Sequence, residues 1–189
     1  MKPIVYILLL CLMSSCQKTT TASSSALLTA ELNHPVGPIP LEDANIPMFS
    51  TELYETSLFV QTQADGTYAL VIDMVLKNDA YFVSPNAKRD FSGKFSVHWE
   101  GDKPIKLLNP LDEYPLSLEE NDSHPFVGGD VNWVRQNTTY TQHFQALDTG
   151  DFEVIGHIQF TIEPKCTLEK LPFIIKRKNG KIRVEKFQC

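Results

Sequence analysis

Apolar and polar positions alternate along most of this chain with the period of strands. Leu58-Phe59-Val60-Gln61-Thr62, the turn Ala64-Asp65-Gly66 and the stretch Thr67 to Lys77 read as a hairpin. In its second arm Tyr68, Leu70, Ile72, Met74 and Leu76 share one parity, which places them on one face. Phe91, Phe95, Val97 and Trp99 do the same against Lys94, Ser96, His98 and Glu100, as far as Gly101-Asp102-Lys103-Pro104. Residues 104–130 read as an irregular connection. Pro104, Pro110, Pro115 and Pro125 interrupt it, Glu119-Glu120-Asn121-Asp122 lies inside it, and Gly128-Gly129 closes it. Strand character returns over Val131 to Ala146, rich in Thr, Tyr, Trp and Val.

The cleanest alternation follows. Phe152, Val154, Ile158, Phe160 and Ile162 point one way with Gly156 in line, while Glu153, His157, Gln159, Thr161 and Glu163 point the other. A last hairpin folds about Asn179-Gly180, with Lys176 opposite Arg183 and Ile174 opposite Glu185. Seven or eight short strands without helical periodicity predict an all-β fold, an antiparallel β-sandwich whose sheets each wet one face.

The N-terminus follows another pattern. Lys2 precedes an unbroken apolar run, Ile4 to Met13, and then Ser14, Ser15 and Cys16. Ten residues are too few to span a bilayer, which takes roughly 20, so residues 1–15 read as a signal peptide. Met13-Ser14-Ser15-Cys16 resembles the bacterial lipobox, with Met in place of the usual Leu. That resemblance implies that Cys16 is lipidated and begins the mature chain. Two or more acyl chains anchor stably where one does not.

Residues 16–50 read as a lipid-anchored flexible tether. Gln17 to Ser25 are almost all small and polar, and Pro35, Pro38, Pro40 and Pro47 break any regular element. Residues 51–189 are left for the sandwich. Together these features predict a cell-envelope protein of a diderm bacterium, facing the periplasm, on the outer rather than the inner membrane.

Charge narrows the partners. The chain carries 17 Lys and Arg against 23 Asp and Glu, a net charge of −6. Removing residues 1–15 takes away Lys2 and no acid, which makes it −7. No basic patch recommends nucleic acid. The membrane is then held through the lipid on Cys16, not through the body. Of the four Cys, Cys11 leaves with the signal and Cys16 takes the lipid. In an oxidising compartment the remaining Cys166 and Cys189 are expected to pair. Extending the last hairpin brings Lys170 opposite Cys189, with Cys166 just before it, so the sequence predicts that the two sulfurs meet.

Little else suggests chemistry. His34, His98, His124, His143 and His157 are scattered, and His143 and His157 on adjacent strands would at best hold a metal weakly. The prediction is therefore no metal site and no cofactor. Ser84 lacks a Gly-x-Ser-x-Gly elbow and stands before Pro85 as an extended, turn-entering residue. Trp99, Trp133, Tyr140 and Phe144 would serve as a glycan platform if exposed, and as core if not.

Several stretches in order resemble the DsbD N-terminal domain family. Asn78-Asp79-Ala80-Tyr81-Phe82-Val83-Ser84-Pro85-Asn86 is similar to that family's Gly-Trp-His-hydrophobic-Tyr-Ser-Pro-Asn segment. Gly156 to Ile162 is similar to its Gly-x-hydrophobic-x-Tyr-x-Val strand, and Leu171-Pro172-Phe173 to the Pro-Phe strand after its two Cys. The resemblance, over roughly residues 57–176, implies an immunoglobulin-like sandwich, thiol–disulfide interchange and a thioredoxin-like or other envelope protein as partner. At the chemistry the chain departs: Glu163 stands where the upstream Cys would be, and only Cys166 carries over. Lys165 and Lys170 are balanced by Glu163 and Glu169, which leaves no net positive setting to activate a thiol. The expectation is thus a binding or interaction module rather than an enzyme, with a structural Cys166–Cys189 disulfide. The alternatives are a thiol–disulfide relay through the candidate redox pair Cys166 and Cys189, and a surface lipoprotein that captures glycans.

Overall fold

The computed structural model describes residues 46–124 and 127–187. The expectations placed on residues 1–15, on Cys16, on the tether up to residue 45 and on Cys189 lie outside the described residues. Within them there is no helix, and the chain forms thirteen strands. These are β1 Met48–Ser50, β2 Tyr54–Thr62, β3 Tyr68–Leu76, β4 Phe82–Val83, β5 Ser96–Trp99, β6 Ile105–Leu107 and β7 Asp112–Tyr114. They continue as β8 Glu119–Asp122, β9 Gly129–Val134, β10 Thr138–Ala146, β11 Phe152–Ile162, β12 Thr167–Lys178 and β13 Lys181–Lys186.

Every pairing is antiparallel. One sheet runs β1-β2-β3-β10, and along the outer edge of β10 lie β6 and β7, one after the other. The second runs β13-β12-β11-β5, and a small third runs β4-β9-β8. The inward parity of each strand makes the core. Leu58, Leu70, Ile72, Tyr140 and Phe144 come from the first sheet, and Ile158, Phe160, Phe173 and Ile175 from the second; all are fully buried in one cluster. Phe95 stacks on Tyr140 with ring centroids 4.0 Å apart, and Phe160 lies 5.1 Å from Phe82 and 5.2 Å from Tyr54. Rings packed this way contribute beyond their buried area. This is the all-β antiparallel sandwich that the alternation predicts.

A buried phenol ties the sheets together. The Tyr54 hydroxyl, on β2, donates to Glu169 Oε2 on β12 at 2.7 Å. Burial pushes the phenol's pKa up, and the Glu169 carboxyl adds to the push. On β11, Gly156 is required by close approach: a Cβ there would stand 2.7 Å from the Phe173 ring and 2.8 Å from the His98 carbonyl. The Asn179-Gly180 hairpin has the register read from the sequence, Lys176 opposite Arg183 and Ile174 opposite Glu185. Both turn residues have positive φ, 52° and 76°, as a two-residue turn of that kind demands.

Three expectations are corrected. Residues 104–130 hold β6, β7, β8 and the start of β9. Strands of three or four residues between prolines carry too short an alternation to be seen. The sandwich also starts before residue 51, because Met48–Ser50 pairs with Glu55–Ser57. Finally, the first sheet is not wet over all of its second face, where Phe59, Ala69 and Val71 form a small buried cluster of their own.

Candidate functional site

The most unusual local chemistry lies in the segment from β7 to β8, residues 112–122, an outer strap that leaves β10 and joins β9. Its first half alternates strictly, with Glu113 and Ser117 buried and Tyr114, Leu116 and Leu118 exposed. Here the polar residues point in and the apolar ones point out. The reason is a hydrogen-bond hub. Ser84, fully buried, donates its hydroxyl to Glu113 Oε2. Asn86 Nδ2 donates to the same oxygen at 3.0 Å, and the Ser117 N–H donates to Oε1 at 3.0 Å. Ser84 Oγ in turn accepts from the Asn86 N–H at 3.0 Å, and Asn132 Nδ2 donates to the Ser117 carbonyl at 2.9 Å.

A buried carboxyl is tolerated only when its oxygens find donors, and here three donors from two segments converge on it. Behind it lies the fully buried Tyr140 ring, whose hydroxyl has no hydrogen-bond partner among the described residues. Burial raises that phenol's pKa, and Glu113 raises it further.

The hub holds the strap by its polar side and so presents the other side to water. Tyr114 is 49% exposed, Leu116 58% and Leu118 80%. Beyond the ridge the strap turns acidic, and each acid is tied down. Lys88 meets Glu119 at 2.7 Å and Arg135 meets Glu120 at 3.0 Å. Asp122 accepts from the His124 N–H at 2.8 Å and from Trp133 Nε1 at 3.0 Å. Those donors hold its carboxyl below the usual range, with the His124 amide foremost.

The residues singled out from the sequence fall elsewhere. Cys166 is exposed, in the turn between β11 and β12, at φ 50°. Beside it Lys165 pairs with Glu52, and Glu163 bridges to Tyr81. The partner expected for Cys166 lies outside the described residues. The Phe187 N–H donates to the Pro172 carbonyl at 3.3 Å, so the described end of the chain lies beside Pro172.

His143 and His157 are not neighbours. His143 is on β10 of the first sheet and His157 on β11 of the second. It is His98 that lies directly opposite His157, with the rings stacked 4.9 Å apart. His98 Nε2 meets Ser96 Oγ at 2.9 Å, and His157 Nδ1 lies 3.6 Å from Glu100. Burial lowers the His157 pKa, with Lys170 and then His98 adding to it and Glu100 opposing. Among the described residues no three His, Cys, Asp or Glu side chains gather as metal ligands.

Of the four aromatics, Tyr140 and Phe144 are core, Trp99 is half-buried against that core, and Trp133 is half-buried against a separate cluster of Val83, Ala87 and Val131. The Tyr81 ring is covered by Arg135, 4.3 Å above it.

The site residue that sequence reasoning missed is Glu113. Its signal was present, because Glu113 and Ser117 share one parity and Tyr114, Leu116 and Leu118 the other. The prolines had marked the stretch as irregular.

No family model matches this chain, and no curated protein matches it. Among solved structures it is similar to the Neisseria meningitidis DsbD N-terminal domain in the reduced form. The identity is 5%, the match covers 68% of this chain and 89% of that one, and the TM-score is 0.41. A likeness at that level assigns no activity.

Proposed function

We propose that this protein is a lipid-anchored envelope binding module that docks a protein partner through the ridge Tyr114, Leu116 and Leu118. One observation carries the reading: the ridge is held out by a buried hub. A surface leucine alone needs no explanation. Leucines kept in water by three hydrogen bonds to a buried carboxyl have no local alternative, because the strap cannot roll them inward without orphaning Glu113.

The lipobox-like Met13-Ser14-Ser15-Cys16 supports tethering of the module to a membrane, and the acidic body supports the anchor as its only hold there. The ridge exposes on the order of 300–400 Å², well below the roughly 800 Å² per side of a stable interface. That size suits the core of a transient contact.

Crosslinking in the producing cell tests the reading. The full chain carries a photoreactive amino acid in place of Leu118, or at Lys181 on β13 as a control. The expected result is a discrete adduct at 118 that is absent at 181, is lost on Leu116→Asp, and is indifferent to Cys166→Ser. An adduct that vanishes with Cys166→Ser would favour a thiol relay instead, and no adduct at 118 would sink the module.

A further inference from the structure

We infer that His98 and His157 form an acid-sensitive latch that holds β5 on the edge of β11. The device is independent of the ridge and adds a conformational response to the sandwich that carries it.

Three observations carry it. First, the two imidazoles are placed by register. His98 stands directly opposite His157, and the rings stack 4.9 Å apart with 19° between their planes. Neutral rings tolerate that contact, whereas two imidazolium ions at the same distance repel.

Second, the surroundings of His157 disfavour its charge. On its other side it lies opposite Pro172 of β12, and its side chain is only 13% exposed. From β5, Glu100 Oε1 lies 3.6 Å from His157 Nδ1 and favours the proton. Burial opposes it more strongly, followed by Lys170 of β12 and His98 itself, so the His157 pKa is lowered. The remaining charges of this outer face are occupied: Lys176 pairs with Glu153 of β11 and Glu185 of β13, and Arg183 pairs with Glu185.

Third, β5 is lightly held. It has four residues, ends its sheet and pairs only with β11 among the described strands. None of its side chains is fully buried, whereas Phe95 just before it is, which marks where an opening stops. A histidine that protonates less readily in the closed form than in the open one favours opening in acid. As the pH falls below the ordinary imidazole value of about 6.5, residues 96–100 are released. The Ile155 carbonyl then loses the Glu100 N–H that it accepts at 2.9 Å, and the β11 edge beside His157 is bared.

Amide hydrogen exchange on the full chain tests the latch at about pH 7.5 and about pH 5, with rates corrected for their intrinsic pH dependence. Protection over 96–100 is expected to drop at least about threefold in acid while β12 keeps its protection. His157→Gln should abolish the drop and His98→Gln should shrink it. Glu100→Gln should enlarge it, because the carboxylate is the group that eases protonation in the closed form. Equal protection at the two pH values would overturn the latch. So would an equal loss in every strand, which is general acid destabilisation, or an undiminished response in His157→Gln. Should His157→Gln not fold, the exposed His98→Gln decides, and an undiminished drop in that variant overturns the latch as well.

Discussion

Two edges of this sandwich face water and solve the same problem in opposite ways. On β13, Lys181, Arg183, Glu185 and Lys186 surround the single buried Val184. Glu185 binds Lys176 at 3.0 Å and Arg183 at 2.7 Å. Charge on an outer strand discourages another chain from pairing with it. The strap 112–122 instead buries its carboxyl and exposes its leucines. Edge charge keeps β13 solitary, whereas the strap has the composition of an edge meant to be covered. The difference lies in orientation, because the strap also contains acids, and its best-placed one points inward.

The largest effect expected on the β13 side comes from its seat in the core. Ile175→Ala on β12 removes a fully buried side chain opposite Val184 and should cost about 2–5 kcal/mol in urea unfolding. A cost under about 1 kcal/mol would mean that the hairpin is not part of the cooperative fold.

Glu113→Ala should come next, at about 2–3 kcal/mol, because it orphans the Ser84, Asn86 and Ser117 donors. It should also abolish crosslinking from position 118 while circular dichroism still reports a folded sandwich. A wild-type unfolding midpoint would show that the hub does not hold the strap.

The pH response should separate the two sheets. The folded-state pKa of His157 is depressed, so the unfolded chain takes up its proton more readily. The contribution to stability is full above the ordinary imidazole value of about 6.5, and it declines as the pH falls below that toward the depressed value. The urea midpoint should therefore fall between about pH 7 and pH 5, and His157→Gln should flatten the fall. An unchanged slope in that variant would move the response to other groups.

Smallest in stability, and sharpest for the comparison, are the outward residues themselves. Leu118→Ser and Lys181→Ser should each shift stability by less than about 0.5 kcal/mol, yet only the first should weaken binding of the proposed protein partner. Cys166 should alkylate in the full chain without reductant, as read by intact mass. Protection that reductant relieves would mean that Cys166 is bridged.

Much of the fold was legible because it rests on local rules. The parity of Val154, Ile158, Phe160 and Ile162 names one face of β11 without any knowledge of its neighbours, and Asn179-Gly180 dictates a two-residue turn and hence the register of β12 with β13. The strap shows where such rules stop. Parity divides residues 112–118 into two sets but does not say which set is inside, and the usual expectation of apolar inward is inverted here.

By itself, then, the sequence determined the class, most strand faces, the last hairpin and the acidic balance of the surface, because each depends on residues close together in the chain. Only the tertiary structure decided that Ser84 and Asn86 reach Glu113 across 29 and 27 residues. The same holds for His98, which meets His157 where His143 was expected. Those outcomes depend on which strands become neighbours, and that choice is made by the packing of the whole core, not by any one segment.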